Sequence, residues 1–341
     1  MRYIPVEQLD GQPHVMVDGA PRPGTACTLS HWPGTPTPPA LWDDVSAGIV
    51  TKALATPSAL PAGVTVASVD HYDADGVIAL ALLCVPGLAA AHGPLLVEAA
   101  TVGDFDVVRS RRAALVAFAL DSVGDPGRAR AAGVVARARD GASSGAGAAS
   151  EALRLLPALA DDPERHRSLW VDEARAYDAA VHAVEDGRVT IDDLPEHDLA
   201  VVRVLDQGGA AGEGAAMAWQ GAPVHHGAVH SGTSCLRILT VAGPRMELRY
   251  RYESWVRLVS RRPRPRVDLG ALASALTTME QGATRWVFDG AGAITPALRT
   301  DGGVPSTLDP GAVVERVLQE LARLDAGPPA GDPYAGAGGR A

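Results

Sequence analysis

The stretch VTVASVDHYDADGVIALALLC, residues 64–84, constrains the fold more than any other part of the chain. An apolar run rich in β-branched residues ends in a turn carrying Asp70, His71, Asp73 and Asp75, and a second apolar run follows at once. VTVASVD reads as a strand, while Val77, Leu80, Ala81 and Cys84 recur at i, i+3, i+4 and i+7, the spacing of a helix face. The acidic turn therefore belongs at the carboxyl end of a strand, where α/β sheets bind ligands. Clustered aspartates repel one another unless open solvent or a cation screens them.

Around this junction the spacing predicts an α/β protein with a parallel-sheet N-terminal half, a helical insertion and a mixed α+β C-terminal half. Residues 1–20 read as short strands or irregular chain, 29–39 (LSHWPGTPTPP) as a loop stiffened by Pro and Gly, and 40–53 as a helix with Leu41, Ile49, Val50 and Ala53 inward. LLVEAATVGDFD (95–106) runs from an apolar segment into a second acidic turn, and RRAALVAFALDSV looks helical. The Gly/Ala/Ser stretch DGASSGAGAAS (140–150) reads as a flexible join. Trp170, Ala174, Tyr177, Val181 and Val184 share one stripe of a long helix. AVVRVLD suggests a strand, CLRILTV and RMELRYRYE a hairpin around AGPR, 268–280 a helix and RWVFDG a strand. Asp309 and Pro310 open a last helix with Val313, Val317, Leu321 and Leu324 inward. The expected divisions are 1–140, an α/β metal-site domain; 141–198, the helical insertion; 199–325, the C-terminal half; and 326–341, a Gly/Pro/Ala-rich tail expected to be disordered.

The net charge of −10 argues against extended nucleic acid or an anionic membrane as partner. Cys27, Cys84 and Cys235 are too few and too scattered for a disulfide framework or a zinc knuckle. MRYIPVEQLDGQ lacks a secretory apolar core, and no run of about 18 apolar residues occurs, so a cytoplasmic location is expected. A homo-oligomer is left open.

Three chemistries use a turn of the DxDG kind. A calcium loop of the EF-hand type would need a glutamate where Leu82 stands and an acidic first ligand where His71 stands. A haloacid-dehalogenase-like phosphatase would use Asp73 as nucleophile, but His71 and Tyr72 separate it from the strand, and Val77 replaces the expected threonine. The third is the DHH family of phosphoesterases, whose first motif HxDxDG is matched by His71, Asp73, Asp75 and Gly76. The sequence resembles that family over residues 64–106. The resemblance implies two Mn2+ or Mg2+ ions activating a water for attack on phosphorus. It would make His71, Asp73, Asp75 and, from a lone aspartate after another strand, Asp104 the metal ligands, with Asp106 as the alternative to Asp104. The family's Asp-His-His motif is represented only by His225–His226, preceded by Val224, and no GGGH signature follows. SHWPG, HxDxDG, GDF and RYRYESWV…SRRPRPRVDL together are also similar to an uncharacterised bacterial family of actinobacterial type, without assigned activity.

His225, His226 and His230 lie close together in APVHHGAVHSGTS, where an imidazole could ligate metal or protonate a leaving alkoxide, and His225 and His226 are the catalytic candidates. A Ser-His-Asp hydrolase is disfavoured by the absence of a GxSxG elbow. Arg261, Arg262, Arg264 and Arg266 present guanidinium forks on a proline-stiffened segment and are the candidates for gripping phosphate. His31 and Trp32 either line a pocket or plug a core edge, and GGAAGEG (208–214) is a weak nucleotide-loop signal. The expected activity is metal-dependent phosphoester hydrolysis on a small phosphorylated metabolite or short nucleotide. A non-catalytic metal- or anion-binding protein and a dehalogenase-like phosphatase are the alternatives.

Overall fold

A computed structural model describes residues 1–133, 144–205 and 217–325. The chain divides into two compact units: Met1–Ala174 with Val256–Arg261, and Arg175–Trp255 with the residues from Arg262 onward. Residues 141–198, read above as an insertion, are thus shared between the units. The GGAAGEG segment and the 326–341 tail lie outside the described residues.

The first unit is built on a four-stranded parallel sheet of β1 (Arg2–Tyr3), β2 (His14–Val17), β3 (Thr25–Leu29) and β4 (Val66–Ser68), in the order β1-β4-β2-β3. Parallel strands are normally joined by a helical crossover of a dozen or more residues. Here β2 returns to β3 through 18–24 alone, which brings Asp18 and Arg22 of that short connection beside the β4 turn. Six helices complete the unit in the main: α1 (Ser46–Ala55), α2 (Ala74–Cys84), α3 (Leu88–Phe105), α4 (Arg111–Gly124), α5 (Pro126–Ala131) and α6 (Ser144–Asp161). Because α2 packs against β4 and against α1, α3 and α6, it is apolar and buried on nearly every side rather than along one stripe.

Two expectations fail here. LLVEAATVGDF is no strand: it is the second half of α3, which continues through Pro94 at the loss of one backbone N–H. The Gly93–Pro94 pair mimics an element boundary in sequence, but the tertiary packing of α3 on α2 and α4 overrides it. Likewise Ser144–Ser150 of the expected flexible join are helical: α6 begins at Ser144, since alanines are strong helix formers and Ala146, Ala148, Ala149 and Ala152 are buried, while 140–143 lie outside the described residues.

In the second unit a six-stranded mixed sheet has the order β5-β6-β7-β8-β10-β9, from β5 (Val189–Leu194), β6 (Leu199–Val204), β7 (Arg237–Ala242), β8 (Arg245–Tyr250), β9 (Trp286–Phe288) and β10 (Ala297–Thr300). Among the described strands of this sheet only β6 and β7 pair in parallel. One face carries Leu199, Val201, Leu239, Leu248 and Tyr250 under α9 (Gly270–Met279) and α10 (Pro310–Asp325). The other packs Ala200, Val202 and Ile238 against Ala180 and Ala183 of α7 (Arg167–Glu185) and Ala228 and Val229 of α8 (His226–Gly232). The strand alternation of β8 holds through Tyr250, and then Arg251 and Glu253 turn inward as a buried ion pair. No helix among the described residues is long and apolar enough to cross a membrane.

Candidate metal centre

The carboxyl ends of β2, β3 and β4 converge. Asp18 follows β2 in a left-handed conformation (φ 42°), which aspartate tolerates better than most residues. Its Oδ1 accepts from Ser46 Oγ at 2.8 Å. Its Oδ2 is buried and has no hydrogen-bond partner among the described residues; His71 Nε2 lies 3.5 Å away.

His31 is presented by the loop after β3. Ser30 orders that loop, since Thr37 Oγ1 accepts from Ser30 N–H and donates to Ser30 O, and Thr35 Oγ1 donates to the carbonyls of Ser30 and Trp32. The segment 256–261 braces it: Arg257 N–H donates to His31 O, and Val259 and Ser260 N–H donate to Asp44 Oδ1. His31 Nδ1 faces the Asp44 carbonyl at 2.6 Å, and a carbonyl only accepts, so Nδ1 carries the proton. Burial pushes this imidazole down to about 4, so it is neutral at physiological pH and Nε2 is a lone pair. That lone pair faces Asp104 Oδ2 at 3.4 Å, Asp18 Oδ1 at 3.5 Å and Asp75 Oδ2 at 3.9 Å. Electron pairs converge there from four side chains.

Asp75 closes the same side. Its Oδ2 accepts from Ser46 N–H at 2.6 Å and its Oδ1 from Ala47 N–H at 2.8 Å, so the carboxylate sits on the N-terminus of α1, whose own N-cap residue Val45 offers no side-chain bond. Burial, with Asp73 nearby, raises it to about 7. Asp18 is pushed well above the ordinary carboxylate range by burial, then by Asp73 and Asp75.

On the outer side His71 is held between two carboxylates, with Nδ1 2.9 Å from Asp70 Oδ1 and Nε2 2.6 Å from Asp73 Oδ2. Burial works against its charged form, but the bonds to Asp70 and Asp73 outweigh it and raise the imidazole to about 11. Asp73 also caps α2 through Oδ1, which accepts from Gly76 N–H at 2.7 Å. Burial pushes Asp73 up, and the bonds from His71 and Gly76 bring it below its usual value. Trp32 lies against the His71 ring, 5.3 Å between centroids.

Two glycines make the approach feasible. A Cβ on Gly76 would lie 3.1 Å from Asp73 Oδ1 and 3.2 Å from Asp18 Oδ2, and one on Gly103 would overlap Ala74 at the start of α2. The second explains the glycine of GDF: α3 must touch α2 for Asp104 to reach His31.

The donors fall into two sets that share Asp18. Ligand atoms of Asp18, His31 and Asp75 all lie within 4.8 Å of one another, and so do those of Asp18, His71 and Asp73. Such spacings suit a hard divalent cation bound at about 2.1–2.5 Å. The buried unbonded oxygen of Asp18 and the neutral imidazole aimed at carboxylates are what such an ion would satisfy. The sets differ in access: the side chains of Asp18, His31, Asp75 and Asp104 are no more than 4 % exposed, while His71 and Asp73 are 36 % and 33 % exposed.

The structure thus gathers His71, Asp73, Asp75 and Asp104, with Asp104 arriving from a helix instead of after a strand. Asp106, the alternative, begins the chain beyond α3 in a left-handed conformation. Sequence reading missed Asp18, although HVMVDG repeats the apolar-run-then-Asp pattern of VTVASVD. It also missed Ser46, whose hydroxyl and amide engage both acids. His225 and His226 belong to the second unit. His225 is buried as the N-cap of α8, its Nδ1 accepting from Gly227 N–H, and it contacts the rings of Trp219 and Tyr177; His226 stacks on His230.

Of the four arginines, only Arg261 belongs to the first unit. Arg264 donates to Glu196 O. Arg266 is buried and its guanidinium is taken up by Ser254 Oγ and the carbonyls of Ala291, Ala293 and Ile294, a loop clamp. Arg262 is exposed in the second unit.

No curated protein and no solved structure matches the chain. Over residues 1–312 it matches the model of a family of unknown function, DUF6687, and the chain belongs to that family.

Proposed function

We propose that the first unit holds two divalent cations and that the protein is a metal-dependent phosphoesterase acting on a small phosphorylated molecule. The observation that carries this reading is Asp18, a buried carboxylate with one oxygen turned to each ligand set and one of them unbonded. The inner position would take His31, Asp75, Asp104 and Asp18 Oδ1; the outer would take His71, Asp73 and Asp18 Oδ2. Carboxylates with imidazoles suit Mn2+ or Mg2+, and two imidazoles favour manganese. Such a pair of ions supplies an activated water and neutralises charge developing on phosphorus.

The chain's own groups do the positioning. Asp70, accepting from Nδ1, orients His71 Nε2 inward, as the Asp44 carbonyl does for His31. Asp73 supports this reading over a nucleophilic one, because one oxygen caps α2 and the other is engaged by His71.

Equilibrium dialysis with Mn2+ followed by elemental analysis tests the centre, and hydrolysis of nitrophenyl phosphodiesters and monoesters tests the activity. Two ions per chain with turnover are expected, and Asp73→Ala should stay folded while losing metal. Metal content equal to the parent's in that variant would remove the centre. Stoichiometric ligand binding without turnover would point to a binding protein on the same scaffold.

A further inference from the structure

Beyond the ligand sets, the first unit has a hollow bordered by the β2–β3 connection. Its volume is about 340 Å3, and Val6, Leu9 and Pro23 give it apolar walls while Glu7, Asp10 and Arg22 bring charge. A separate, narrower cleft shares the walls Val6 and Glu7 and is bordered by Asp70 and His71. Arg22 of the hollow contacts Asp70 of the cleft, and Asp70 in turn bonds the partly exposed His71 imidazole of the outer set.

Arg22 is built as a fixed arm. It stands between Pro21 and Pro23. Its amide donates to Thr25 Oγ1 at 2.8 Å, and its carbonyl accepts from Thr25 N–H at 2.9 Å. Thr25 Oγ1 is held in turn by His14 Nε2, a fully buried ring anchored through Nδ1 to the Gln12 carbonyl. The backbone is fixed while the side chain stays 52 % exposed. Its guanidinium reaches Asp70 by one long contact, Nη2 to Oδ2 at 3.5 Å. A guanidinium offers five donors, and a long, half-exposed ion pair is a weak one. Asp70 reaches that position because residue 19 is glycine: a Cβ there would lie 2.6 Å from Asp70 Oδ1.

We infer that Arg22 is the anchor for a second anionic group of the substrate, whose body rests in the hollow while its scissile phosphate meets the outer cation. This inference rests on the two-cation reading and adds a substrate class: a small molecule with two anionic groups separated by a short uncharged body. The carboxylates of Glu7 and Asp10 along the hollow repel a continuous polyanion, so one remote anion is admitted and a nucleic-acid backbone is not.

The test uses alkanediol bisphosphates of increasing chain length against the matching alkyl monophosphates, with the Mn2+-loaded full chain and calorimetric titration. In the parent protein one length of bisphosphate should bind about tenfold tighter than its monophosphate, the gain expected from a charge-assisted fork. Arg22→Gln should bring that ratio to about one with unchanged manganese uptake, and Arg22→Lys should fall between. A ratio unaffected by Arg22→Gln, or no bisphosphate preference in the parent, overturns the inference. If the parent takes up no manganese, the two-cation reading fails by itself. The arm is then judged on metal-free protein: monophosphate binding lost in Arg22→Gln keeps the anion anchor, and binding equal in both overturns it.

Discussion

The shared carboxylate gives the sharpest prediction. In metal-free protein Asp18 is a buried acid beside Asp73 and Asp75, with its pKa raised by that burial and by those charges. An acid whose folded pKa lies above its unfolded value stabilises the fold fully below the unfolded value, about 3.9, and loses that contribution as pH rises to the folded one. Asp18→Asn keeps the shape and an oxygen for Ser46 Oγ but never ionises. Without metal the variant should therefore match the parent near pH 4 and gain on it as pH rises, by at most about 1.4 kcal/mol per pH unit. A total of about 1–3 kcal/mol is reasonable for relieving one buried, poorly bonded charge. For a unit of this size that is a rise of roughly 2–4 °C in Tm per kcal/mol.

Manganese should reverse the order. At 100 times Kd, a cation bound only by the folded state stabilises the parent by about 2.7 kcal/mol, and the variant, with an uncharged amide in place of the carboxylate that faces both sets, should gain little. The assay is differential scanning fluorimetry from pH 4 to 8 with chelator and with Mn2+. Equal melting without metal across that range would show that Asp18 is not strained. An undiminished manganese shift in the variant would show that it is not a shared ligand.

Other outcomes follow from single contacts. Because the inner donors are buried and the outer pair is one-third exposed, a chelator should strip one of two manganese ions quickly and the other only as the unit opens; loss of both at one rate would refute the asymmetry. Gly103→Val should clash with Ala74, cost about 1–3 kcal/mol by overpacking and weaken metal uptake together with thermal stability, whereas a substitution that changes neither would separate α3 from the centre. In the second unit Glu280 is pushed up by burial but held below its usual pKa by bonds from Ser306, Thr307 and the Trp286 indole. A depressed acid stabilises above its unfolded value and loses that contribution as pH falls through the folded one. Trp286 emission should therefore shift to the red below about pH 4.5, and Glu280→Gln should flatten that dependence.

The β4–turn–α2 junction was legible because three signals coincide in one short window: a β-branched apolar run, an acidic turn and helical spacing. The segment that follows misleads about α3. There the Gly93–Pro94 pair is a strong local signal for a break, and only contact with α2 and α4 shows that packing prevails. Asp104 does lie beside His31, but GDF marks close helix contact through Gly103 and not the end of a strand.

What sequence could not supply was partnership at long range. Asp18 and Asp75 meet through Ser46, whose hydroxyl bonds one carboxylate and whose amide bonds the other, and no spacing rule links positions 18, 46 and 75. Asp73 caps α2 through Oδ1 and turns Oδ2 to His71; Asp75 caps α1 and lines the inner set. Capping fixes the rotamers that the proposed ligation would need. Asp18 Oδ2 is engaged by no cap and no hydroxyl among the described residues, and for that reason its substitution separates a cation site from a well-capped turn.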